Sequence, residues 1–154
     1  MTDRSVTHST WTLERTYDAK PARVFAAFAD KEAKSQWFGG GEELQWDFDF
    51  RVGGREVNIG RTDGGMVFAL EAVYQDIVPD ERIVYSYDMK MNDERISVSL
   101  ATVQIEPVDG GTRLTFTEQG AYLDGLDTPE AREHGTGELL DALGKSVQGA
   151  AANA

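Results

Sequence analysis

Cysteine is absent from this chain, so it can form no disulfide and offers no thiolate for redox, nucleophilic or metal chemistry. Histidine is scarce: His8 and His134 are the only two and stand far apart in sequence, which excludes a histidine-rich metal site. Basic residues are few, 15 against 27 acidic, and the formal charge of −12 with a pI near 4.5 repels phosphate backbones and anionic lipid. Nucleic acid and membrane are therefore not expected as partners. The chain shows neither a charged-then-apolar leader nor an apolar run of about 18 residues, and a soluble cytoplasmic protein is the expectation. No Ser-His-Asp set is evident, and Gly39-Gly40-Gly41 is no phosphate loop, having no strand before it and no Lys-Ser/Thr after it. Neither a cofactor nor a metal is expected.

What is present is material for one core. The 154 residues suit a single domain, and a hydrophobic share of 40% with 10% aromatics is too rich for a disordered chain. The expected domain spans residues 9–148, with residues 1–8 and 149–154 as flexible tails. A homodimer is left open.

One stretch, Thr128 to Val147, has a long helical pattern. Thr128 is suited to the N-cap, Pro129 to the first helical position and Glu130 to the first turn. Thr136, Leu140, Leu143 and Val147 recur at spacings of four, three and four, so they form one apolar stripe opposite Glu138, Asp141 and Lys145. Gly135, Gly137 and Gly144 each weaken that helix by about 1 kcal/mol relative to alanine. Their presence points either to close backbone approach or to space left for something else.

The remainder reads mostly as strands. Trp11, Leu13, Arg15 and Tyr17 alternate with polar residues. Pro21 opens a short helix with Val24, Phe25 and Phe28 on one face, and Asp30 caps a second over Lys31 to Phe38. Period-two patterns follow: Leu44, Trp46, Phe48 and Phe50 on one face, Val57 and Ile59 continuing it after a Gly53-Gly54 turn, then a central strand over Met66 to Val78. Ile83, Tyr85, Tyr87 and Met89 share a face of the next strand, which ends at the Asn92-Asp93 reversal. In the following strand Ile96, Val98 and Leu100 differ in parity from Val103 and Ile105, which predicts a β-bulge near Ala101-Thr102. Beyond the Asp109-Gly110-Gly111 turn, Leu114 and Phe116 point inward, and by the same parity so does Glu118. The order is strand, two short helices, six strands and a long helix. It predicts an α+β domain whose curved antiparallel sheet grips the C-terminal helix.

At this point the chain resembles the START-like, helix-grip superfamily, and within it the branch named after the C-terminal domain of the activator of heat-shock protein 90 ATPase. The stretches that carry the likeness are Pro21 to Phe28, Gln36-Trp37-Phe38, Asp49 to Arg55, Asp76 to Tyr85, Gly111 to Thr115 and Glu133 to Gly137. The resemblance implies a small-molecule binder or a polyketide-cyclase-like enzyme with a cavity between sheet and terminal helix. Where that family commonly places Gly-Trp, this chain has Gly135-Thr136 or Gly137-Glu138, and the stripe favours Thr136 as the counterpart, a smaller side chain that enlarges the cavity.

The candidate site follows. Glu118 on an inward face is either a general acid or base tuned by burial, or half of an ion pair at the sheet rim. His134 is either its proton-shuttling partner or a surface residue. Trp37, Trp46, Phe48, Phe68, Tyr85, Tyr87, Thr136 and Leu140 are the candidate ligand contacts, although most inward aromatics simply fill cores. Arg51 and Arg55 fit ion pairs with neighbouring carboxylates better than a ligand site. The leading expectation is a protein that binds a small apolar or aromatic molecule. The alternatives are an acid-base enzyme of cyclase or hydrolase type and, less favoured, a co-chaperone-like module.

Overall fold

The structure, a computed structural model, describes residues 3–39 and 41–152. In chain order it contains β1 (Val6–Tyr17), α1 (Pro21–Ala29), α2 (Lys31–Ser35), β2 (Glu42–Phe48), β3 (Arg55–Arg61), β4 (Val67–Val78), β5 (Arg82–Met91), β6 (Glu94–Val108), β7 (Gly111–Leu123) and α3 (Pro129–Ala152). The strands form one antiparallel sheet in the order β1-β7-β6-β5-β4-β3-β2, and α1 and α3 pack on its concave side. This is the α+β helix-grip architecture expected from the sequence. No helix among the described residues is long and apolar enough to cross a membrane.

Local signals explain the element ends. Asp30 accepts a hydrogen bond from the Ala33 amide at 3.0 Å and starts α2, and Thr128 Oγ1 accepts from the Ala131 amide at 3.1 Å to start α3. Asn92 and Asp93 have φ of 48° and 72°, the left-handed pair that a two-residue hairpin requires. Strand β1 begins at Val6, earlier than the expected boundary at residue 9, because Val6, Thr7 and His8 pair with Leu123, Tyr122 and Ala121 of β7. At the other end α3 continues through residues 149–152, beyond the expected boundary at residue 148; residues 1, 2, 153 and 154 lie outside the described residues.

Two parity assignments are corrected. On β3 the buried residues are Glu56, Asn58 and Gly60, whereas Val57 and Ile59 are half-buried on the opposite face. On β6 the phase changes at Ile96, where β5 pairing skips from Met89↔Ser97 to Lys90↔Arg95, so the bulge lies five residues before the expected place. From there Ser97, Ser99, Ala101 and Val103 point inward, and Val98 and Leu100 are exposed. Another register shift, between Glu43 and Gln45, leaves Leu44 exposed although Trp46 keeps its inward place. Bulges add local twist, which helps this sheet curl around α3.

The grip itself is tight at β1. Leu140, Leu143 and Val147 are buried, each contributing about 1.5–3 kcal/mol by leaving water. Tyr17 donates its hydroxyl to the Leu140 carbonyl at 2.7 Å, and Gly144 sits on the Tyr17 ring, where an added Cβ would meet ring carbons at 2.8 and 3.0 Å. Gly135, by contrast, faces open space. Gly144→Ala is therefore expected to lower stability by about 1–3 kcal/mol through overpacking, despite better helix propensity. Gly135→Ala is expected to raise it by up to about 1 kcal/mol. Chemical denaturation of the two variants checks both signs.

Candidate ligand-binding cavity

Between the sheet and the first half of α3 lies a cavity of about 330 Å³. Its walls follow from the strand and helix periods. Tyr85, Tyr87 and Met89 alternate inward along β5, Phe68 and Leu70 along β4, and Phe116 and Glu118 along β7. Arg132, Thr136 and Leu140, spaced by four, roof it from α3, and Trp37 closes one side, held by a hydrogen bond from its indole to the Ala27 carbonyl at 2.9 Å. Gly39 and Gly135 are exposed at its border. Gly41, with φ of 75°, is pressed against the Arg61 carbonyl, so this end of the glycine run is seated against β3, and Gly40 lies outside the described residues.

One end of the cavity is polar. The Tyr87 hydroxyl donates to Glu118 Oε1 at 2.7 Å, and Arg132 donates to the Tyr87 oxygen at 2.9 Å and to Ser97 Oγ at 2.7 Å. Arg132 also pairs with Asp127 at 2.8 Å and approaches Glu118 Oε2 at 3.5 Å, and its guanidinium lies 5.7 and 5.6 Å from the Tyr87 and Tyr122 ring centres. Glu118 is fully buried. Burial pushes its carboxyl above the ordinary value of 4.5, and the Tyr87 hydroxyl and Arg132 oppose that shift without reversing it. Burial likewise raises the Tyr87 phenol, and the Glu118 charge adds to it. For Arg132 burial disfavours the cation, but Tyr87, Glu118 and Asp127 outweigh it and hold the guanidinium protonated.

A second buried cluster lies toward β2 and β3. Lys34 donates to Glu56 Oε1 at 2.7 Å, the Tyr74 hydroxyl donates to the same oxygen at 2.6 Å, and the Trp46 indole donates to Glu56 Oε2 at 2.8 Å. Lys34 Nζ stands 4.4 Å from the Phe38 ring centre. Burial pushes the Lys34 ammonium below its usual range, and Glu56 resists that shift. Lys34 and Asn58 line the cavity on this side.

A family model described as activator of Hsp90 ATPase homolog 1-like protein matches residues 18–148. The chain belongs to this family. Among solved structures, a protein from Rhizobium loti is 51% identical, with a TM-score of 0.87 over 92% of this chain and 99% of its own. A second, from Rhizobium leguminosarum, is 44% identical with a TM-score of 0.89 over 94% and 97%. A third, from Chromobacterium violaceum, is 26% identical with a TM-score of 0.78 over 90% and 96%. No curated protein matches the chain.

Within this activator-homologue domain the expected site residues divide. Trp37, Phe68, Tyr85, Tyr87, Thr136, Leu140 and Glu118 all line the one cavity. Trp46 and Phe48 do not; the Trp46 indole serves Glu56, and the Phe48 ring lies tilted between Trp46 and Phe50 at 6.0 Å from each. His134 is also elsewhere: its side chain is 78% exposed, with Nε2 2.7 Å from Glu138 one turn along the helix. Glu118 and His134 therefore do not meet. Arg51 pairs with Asp49 at the surface, in keeping with its reading as an ion-pair residue.

Arg132, Asn58, Lys34 and Glu56 are not among the residues the sequence points to. Arg132 had a signal, since it lies four residues before Thr136 and extends the same stripe. Asn58 and Glu56 were hidden by their apolar neighbours Val57 and Ile59, although hairpin pairing sets them opposite Trp46 and Phe48. Lys34 shares a five-residue helix with too little periodicity to read.

Proposed function

We propose that the protein binds a small apolar or aromatic molecule between α3 and the sheet. The observation that carries this reading is the cavity: about 330 Å³ with largely apolar walls and convergent polar groups at one end. A void of this size is costly in a core, because lost packing amounts to about 24 cal/mol per Å³. Thr136, where the resemblance implies a tryptophan, lines the cavity with a smaller side chain. The polar end formed by Tyr87 and Arg132 orients an entering molecule, and Trp37 and Phe68 supply its apolar contacts.

The acid-base alternative has less support. His134 is not at the cavity, and Glu118 Oε1 is already occupied by the Tyr87 hydroxyl. Binding to the native state raises its stability by RT ln(1 + [L]/Kd). 4-Phenylphenol, an aromatic probe with one polar end, is accordingly expected to raise the melting temperature in a concentration-dependent way. A panel of such apolar and aromatic compounds that gives no shift at any concentration up to their solubility would contradict the reading.

A further inference from the structure

Asn58 is in an unusual position for an amide. It is only 7% exposed and stands on the inward face of β3, opposite Trp46 on β2 and Leu70 on β4, with its side chain lining the cavity. Neither its carbonyl nor its amide nitrogen has a side-chain or backbone partner among the described residues. Its polar atoms open onto the cavity, where a ligand that displaces water must replace the hydrogen bonds water makes, and a leucine of similar size would offer none. Beside it, Lys34 has three donor protons and one acceptor, Glu56, and it too lines the cavity.

Resting on the ligand-binding reading above, we propose that Asn58 and Lys34 form a second polar subsite that receives a neutral carbonyl oxygen of the ligand. The charges decide for a neutral group. Lys34 is balanced by Glu56, and Arg132 by Asp127 and Glu118, so no cation is left to compensate a buried carboxylate. The register gives the scale. Asn58 pairs with Leu70, Leu70 with Met89, and Met89 with Ser97, the residue that accepts from Arg132. Three strand steps span about 14 Å along the sheet, less across its concave face. The ligand class is thus an elongated apolar or aromatic molecule, on the order of 10 Å between its ends, with a ketone, ester or amide carbonyl at the β3 end.

The test compares 4-acetylbiphenyl with 4-isopropenylbiphenyl, which replaces the carbonyl oxygen by a methylene of similar shape. Titration calorimetry of the wild type is expected to show the ketone bound about tenfold tighter, the value of one well-made buried hydrogen bond. In Asn58→Leu that preference is expected to disappear while the hydrocarbon still binds, and the ligand-free variant is expected to melt no lower than the wild type. Equal binding of both probes by the wild type overturns the subsite and leaves the ligand-binding reading standing. Failure of both probes to bind overturns both. Retention of the preference in Asn58→Leu, or a marked fall in its ligand-free melting temperature, shows Asn58 to be structural and overturns the proposal.

Discussion

Glu56→Ala is expected to lower stability by about 3–5 kcal/mol, because it leaves Lys34 as a buried cation without its counter-ion. Lys34 and Glu56 have side-chain exposures of 8% and 2%, so the orphaned ammonium has little access to water. The Tyr74 hydroxyl and Trp46 indole lose their acceptor in the same step, adding two unpaired donors. For a chain of this length each kcal/mol moves the melting temperature by about 2–4 °C, so a drop on the order of 10 °C is expected. The double variant Lys34→Met/Glu56→Leu removes both charges and is expected to recover most of the loss, since a buried ion pair is seldom better than apolar residues of similar volume. Urea denaturation of the three proteins checks this order. A double variant as unstable as Glu56→Ala would mean that packing, and not the orphaned charge, sets the cost.

Arg132→Met is expected to cost about 3 kcal/mol near neutral pH, and the deficit is expected to shrink as the pH falls. Glu118 is fully buried and Arg132 is its nearest cation. Burial already raises the folded-state pKa of Glu118 above 4.5, and removing Arg132 takes away an opposing influence, so it rises further. A carboxyl whose folded pKa is raised destabilises the fold as pH climbs from 4.5 through that folded value, because the unfolded chain gives up its proton first. Below 4.5 both states hold the proton and this part of the loss vanishes. Stability measured at several pH values from 5 to 8 reads the slope of the difference between variant and wild type. Arg132→Met/Glu118→Gln is expected to abolish that slope. A deficit that does not change with pH would place the role of Arg132 in packing against Tyr87 and Tyr122.

Much of this was legible in the residues. Pro21, Asp30, Thr128 and the Asn92-Asp93 reversal act through local chemistry, and each lies where its preference puts it. Glu118 was legible because β7 keeps one parity from Leu114 onward without a bulge. Elsewhere, apolar residues are a poor guide to the inward face. Val57 and Ile59 face away from the cavity so that Glu56 can meet Lys34 and Asn58 can line the cavity, and Val98 and Leu100 are exposed so that Ser97 can accept from Arg132. Glu56 and Ser97 gain partners from α2 and α3, which are remote in sequence, so no local pattern announces them. His134 shows the converse, since a helical angle places it on a flank but only tertiary packing decides whether that flank is wet.

The most direct measurement of ligand binding in this cavity is a thermal melt of wild type and Thr136→Trp with and without 4-phenylphenol. Thr136 lines the cavity from α3, where an indole would occupy space that is otherwise open. An open cavity accepts the larger side chain, whereas a filled core resists it at about 1–3 kcal/mol. The expected result is that Thr136→Trp alone melts at or above the wild-type temperature, and that the probe raises the wild type but not the variant. A variant that melts clearly lower, with the probe shifting both proteins equally, would contradict binding between α3 and the sheet.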